Sequence, residues 1–105
     1  MEITSELLKE KIEKNEKIIV DFYAEWCVPC SRMKPIFEKI AEEQRNNNSE
    51  VQMYTMNVEH NQEVARSLGI RSIPTIKGFS EGKETFSKTG LLVETQINEL
   101  TTMLG

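Results

Sequence analysis

Two cysteines, Cys27 and Cys30, are the whole thiol content of the chain, set in Trp26-Cys27-Val28-Pro29-Cys30. A C-x-x-C pair carries redox or metal meaning. The pair follows an apolar run and opens a helical pattern. The free N–H groups and positive dipole end of a helix start favour a negative charge, so Cys27 is biased toward thiolate. Cys30, about one turn further on, can then attack a mixed disulfide formed by Cys27. One rigid element thus carries an attacking and a resolving sulfur, and Pro29 tolerates the early helix and stiffens the small ring. Three blander readings compete. A structural disulfide over so short a loop contributes only about 2 kcal/mol by chain entropy, and a cytoplasmic setting would keep it reduced. A structural zinc wants four ligands, and His60 is the only histidine. Inert thiols fit poorly with two cysteines flanking a helix start beside a tryptophan. Disulfide exchange is the reading that uses both residues.

Asp21 is the second candidate. It interrupts the apolar run Ile18-Ile19-Val20-Asp21-Phe22-Tyr23 six residues before Cys27. A buried, unpaired carboxyl is held protonated well above its ordinary range. Such a group could take a proton from the resolving thiol and return it. The structural alternative is a carboxylate paired with a nearby lysine or pointing to solvent at the strand end.

The elements that must position these residues are set by periodicity. Thr4 to Asn15 predicts a first helix with Leu7, Leu8 and Ile12 on one face, capped by Thr4 or Ser5. Lys17 to Tyr23 predicts a central strand covered on both faces. Met33, Ile36, Phe37, Ile40 and Ala41 recur at helical spacing until Asn46-Asn47-Asn48-Ser49, with Pro35 expected to kink the helix. Val51 to Val58 predicts a strand with Val51, Met53, Met56 and Val58 buried. Asn61 is expected to cap a short helix through Val64, Ala65 and Leu68, stopped by Gly69. Thr75–Phe79 and Glu84–Lys88 flank Ser80-Glu81-Gly82-Lys83 as a hairpin. A last helix runs from about Leu92 to Leu104, with Val93, Ile97, Leu100 and Leu104 on its stripe. The order α-β-α-β-α-β-β-α predicts a three-layer α/β/α domain with a mixed sheet.

The bulk properties agree. At 105 residues, residues 1–105 make one domain. A 38% hydrophobic fraction supports a core, and the net charge of −4 argues against nucleic-acid or anionic-membrane partners. No apolar run approaches the roughly 20 residues of a membrane helix. Met1 to Glu6 lacks an apolar signal segment, so the expected compartment is the cytoplasm.

The run Asp21-Phe22-Tyr23-Ala24-Glu25-Trp26-Cys27-Val28-Pro29-Cys30 resembles the thioredoxin family. The likeness continues at Pro35, at Met56-Asn57-Val58-Glu59, at Gly69-Ile70-Arg71-Ser72-Ile73-Pro74-Thr75, and at Gly82 and Gly90. The resemblance implies the thioredoxin fold, with four to five strands and four helices. It implies Cys27 as nucleophile, Cys30 as resolving thiol, Asp21 as acid–base and Pro74 as a cis residue against the disulfide. Trp26, Val28, Pro29, Ile73, Pro74, Gly90 and Leu91 would line the apolar patch that docks substrate proteins. Three departures stand out. Val28 replaces the usual glycine beside the attacking sulfur. Thr55 occupies the position where many members carry a lysine near the aspartate. Only Met1 to Ile3 precede the first helix, so the first edge strand is expected to be vestigial.

The resemblance and the thiol pair together imply a cytoplasmic, monomeric protein-disulfide reductase. It would bind no cofactor and act through the Cys27–Cys30 disulfide. No nucleotide-binding glycine motif is present, so NADPH would reach it through a flavin-containing thioredoxin reductase, with disulfide-bearing proteins as targets. Val28-Pro29 offers no histidine to stabilise the thiolate, which favours a reducing couple. Two alternatives remain open: an oxidoreductase or isomerase specialised for one partner, and a non-catalytic binding module.

Overall fold

The computed structural model describes residues 1–105, and its elements come in the expected order. They are α1 (Ser5–Glu13), β1 (Lys17–Tyr23), α2 (Val28–Asn46), β2 (Val51–Asn57), α3 (Gln62–Ser67), β3 (Thr75–Ser80), β4 (Lys83–Thr89) and α4 (Glu94–Leu104). The sheet order is β2-β1-β3-β4, with β1 parallel to β2 and antiparallel to β3, and β3 antiparallel to β4.

β1 is central, and every residue from Ile18 to Tyr23 is buried. Its side chains alternate between two layers. Ile19 packs with Met33, Phe37, Ile40 and Ala41 of α2 and with Ile97, Leu100 and Leu104 of α4. Ile18, Val20 and Phe22 pack on the opposite side with Leu8 of α1, against which Val64 and Leu68 also lie. Each such large apolar side chain contributes about 1.5–3 kcal/mol on burial. The alternation decides the direction of Asp21: like Ile19, it faces the α2 layer.

Several expectations are corrected in detail. Thr4 caps α1, accepting the Leu7 N–H at 3.1 Å, but Leu7 itself is exposed. In so short a helix one stripe through Leu8 and Ile12 meets the sheet. Val58 follows β2 rather than closing it, and is half-buried. Asn61 precedes α3 but makes no capping bond. Instead it accepts from Ser5 Oγ at 2.6 Å and donates to the Asn57 carbonyl at 2.9 Å, tying α3 to α1 and β2. Val93 is exposed because it has extended backbone before the first turn of α4, so it is off the helical stripe. Gln96 Oε1 accepts its N–H at 2.9 Å.

The first edge strand is reduced to one parallel bridge, Glu2 with Thr55. Ile3 N–H donates to the Thr55 carbonyl and Thr55 N–H to the Met1 carbonyl, both at 2.9 Å. The β3–β4 hairpin turns at Glu81 and Gly82, with φ of 54° and 79°. Positive φ at both turn residues matches the twist of the flanking strands and suits glycine at the second.

Candidate active site

Cys27 occupies the N-cap of α2, followed by Val28 and Pro29 in the first turn. Its Sγ accepts the Cys30 N–H at 3.3 Å, and its carbonyl accepts the Ser31 N–H at 3.1 Å. The helix start therefore aims an otherwise unpaired donor at the sulfur, which in the reduced form favours the thiolate. Pro29 fits here because the first-turn N–H groups have no helical partner. Cys27 and Cys30 are joined as a disulfide with Cα atoms 5.2 Å apart. Cys27 keeps 5% exposure and Cys30 none. They cluster with Tyr23 and Ala24 at the end of β1, and Ile73 packs against them.

Asp21 is fully buried, and neither carboxylate oxygen has a hydrogen-bond partner. Burial pushes its carboxyl up to about 7; Lys34 draws it down, and Glu38 and Glu2 push it further up. No lysine or solvent contact satisfies it, so the structural alternative raised by the sequence does not hold. Directly opposite in the β1–β2 register is Thr55, which is buried. Its hydroxyl turns to Glu2 Oε1 at 2.7 Å. The same Glu2 carboxylate accepts Tyr23 Oη and the Asn57 N–H, each at 2.9 Å. The Lys34 ammonium sits 4.1 Å from the centre of the Tyr23 ring.

The surface around Cys27 is apolar and open. Trp26 is 68% and Val28 58% exposed, and Pro29 and Leu91 also face solvent. Trp26 Nε1 donates to Glu59 Oε2 at 2.9 Å. Ile73 is half-buried, Pro74 buried, and the bond between them is cis. Gly90, at φ 105°, donates its N–H to the Pro74 carbonyl at 2.8 Å. That conformation is open to glycine and strained for other residues. Leu92 N–H reaches Met33 Sδ at 3.4 Å, holding the loop against α2. A depression of about 860 Å3 between α1 and α3 is polar and away from the disulfide. No three His, Cys, Asp or Glu side chains converge to hold a metal ion, and no helix is long and apolar enough to cross a membrane.

The thioredoxin family model matches residues 1–102. The chain belongs to the thioredoxin family. It is 38% identical over 90 residues to a thioredoxin of Rickettsia bellii, covering 85% of this chain and 83% of that one. It is 33% identical to a thioredoxin of Mycoplasmoides gallisepticum, covering 89% of each. Its fold superposes on Plasmodium falciparum thioredoxin with a TM-score of 0.87 at 26% identity over the full length of both. Thioredoxins are protein-disulfide reductases, and Cys27–Cys30 is the redox-active disulfide of this one.

For a thioredoxin the departures at Val28 and Thr55 have visible consequences. Val28 extends into solvent beside the attacking position rather than into the core. Thr55 adds no charge, and the cation acting on Asp21 comes from α2, as Lys34. Lys34 lies four residues after Cys30, so helical spacing could have flagged it. Glu2 gives no sequence signal and Glu59 enters only within the family likeness, because their partners lie 21 to 55 and 33 residues away.

Proposed function

We propose that the chain is a cytoplasmic reductant of disulfides in other proteins, with Cys27 as nucleophile, Cys30 as resolving thiol and Asp21 as acid–base. The observation that carries this is the pair itself: one sulfur at the rim facing a helix-start donor, the other sealed behind it. In the reduced form the Cys27 thiolate attacks one sulfur of a target disulfide. That S–S bond breaks, the target's other sulfur leaves as a thiolate and is protonated by water, and a mixed disulfide joins Cys27 to the target. Cys30 then passes its proton to the Asp21 carboxylate and attacks Cys27 Sγ. The Cys27–Cys30 bond forms and the target's second thiolate leaves and takes up a proton. The target gains two electrons and two protons, and the dithiol loses two electrons. A carboxyl titrating near neutrality suits that transfer, since the best proton acceptor has a pKa near the working pH.

Trp26, Val28, Pro29, Ile73, Pro74, Gly90 and Leu91 form the docking surface. Regeneration needs two electrons from outside, supplied by NADPH through a flavin-containing thioredoxin reductase. The neutral Val28-Pro29 pair supports a reducing couple. Insulin disulfides test the assignment. Cys30→Ser should accumulate a mixed disulfide through Cys27, and Cys27→Ser should reduce nothing. A Cys27→Ser chain that still reduced insulin would overturn the mechanism. Consumption of NADPH with a thioredoxin reductase present tests the recycling step, and its absence would remove that partner.

A further inference from the structure

The apolar surface at the disulfide continues into an open groove of about 370 Å3. Trp26 and Ile73 begin it, next in sequence to Cys27 and Pro74, and Ala65 and Ile70 extend it toward α3. Two arginines, Arg66 and Arg71, line the groove, and no carboxylate does. That inverts the balance of the whole chain, which has 17 acidic and 13 basic residues. Both arginines are exposed and unengaged. All ion pairs use lysines or the amino terminus, so neither guanidinium is paired. Glu63, one turn before Arg66 on α3, makes no ion pair either. Glu59, at the Trp26 edge, has Oε2 accepting the indole N–H. A guanidinium presents a planar fork of donors that matches a carboxylate, and one left unpaired beside an apolar groove is available to a partner.

We infer that this groove seats an extended segment of the target protein carrying Asp or Glu within a few residues of the cysteine that Cys27 attacks. The apolar contacts take the segment, and Arg66 and Arg71 select its charge. The inference depends on Cys27 being the sulfur that joins the target.

The test uses peptides closed by one disulfide, identical except for Asp, Asn or Lys at the positions flanking one cysteine. The reduced chain at low ionic strength should favour the Asp over the Lys peptide about three- to tenfold in kcat/KM, the range two exposed charge pairs supply, with Asn between. High salt should shrink that ratio. Arg66→Gln with Arg71→Gln should bring it close to one, and Arg66→Glu with Arg71→Glu should reverse it. Equal rates for the three peptides, or faster reduction of the Lys peptide, would overturn the acidic preference alone. A preference unchanged in the glutamine pair would overturn the groove assignment. A chain that reduced none of the three would instead overturn the reductase reading on which the preference rests.

Discussion

Within β1, facing the α2 layer, the molecule buries a carboxylate that accepts no hydrogen bond; on the surface around Cys27 it leaves tryptophan, valine and leucine in water. The two regions are unfavourable for opposite reasons. Inside, a group that prefers water has lost it, and the fold is destabilised whenever Asp21 is ionised. Outside, groups that prefer an apolar setting lack one, and the gain is deferred until a partner covers them. In the proposed mechanism, proton handling belongs to the low-dielectric side and recognition to the open side. Substitutions in the two regions should separate accordingly, with interior changes moving stability and its pH dependence, and rim changes moving KM.

The largest effect is expected at Asp21. Its ordinary value is 3.8 and its folded value about 7. Between these the folded chain holds a proton that the unfolded chain has released. Asp21's contribution therefore favours the fold most below about pH 4, weakens as pH rises toward 7, and is constant above. The difference amounts to about 4 kcal/mol. Asp21→Asn removes that titration, so its stability advantage over the parent should widen by about this amount between pH 4 and pH 8. Urea unfolding of both proteins at the two pH values measures it. A constant gap would mean that Asp21 is not buried as an isolated acid. The same variant should also slow the resolving step.

On the open side, Trp26→Ala should lower kcat/KM for protein disulfides about five- to tenfold, the scale of an aromatic contact anchor. Its unfolding midpoint should hardly move, since exposed substitutions stay within about 0.5 kcal/mol. A large loss of stability with an unchanged KM would erase the contrast between the regions. Lys34→Met keeps the stem over Tyr23 and removes the cation nearest in effect to Asp21. The carboxyl should rise further, so the pH at which stability levels off should move upward. A downward move would show that another charge governs the site. Val28→Ser should have the smallest effect, about a twofold rise in KM with no change in the Asp21 titration.

Much of this arrangement is legible in the chain, and the departures have a common origin. The strand ends at Lys17 and Tyr23, the hairpin turn at Glu81-Gly82 and the buried face of α2 all reflect local periodicity and turn chemistry. Leu7 and Val93 are expected on apolar stripes yet face solvent: a stripe says which residues could face a core, not where the short α1 meets it, nor that Val93 precedes the first turn of α4. Asn61 has the residue type of a cap, yet Ser5, 56 residues away, draws its side chain elsewhere.

By itself the sequence determined the thiol pair at a strand-to-helix junction, the layer order, the family likeness and the missing lysine at Thr55. These rest on residue types and on spacings of a few residues, which backbone geometry converts directly into position. Only the tertiary structure decided that Asp21 has no partner, that Glu2 ties the amino terminus to Tyr23, Thr55 and Asn57, and that Lys34 supplies the cation. It alone brought Arg66 and Arg71 beside Trp26. Those relations depend on sheet register and on the packing of helices distant in the chain, and they become definite once the layers close over β1.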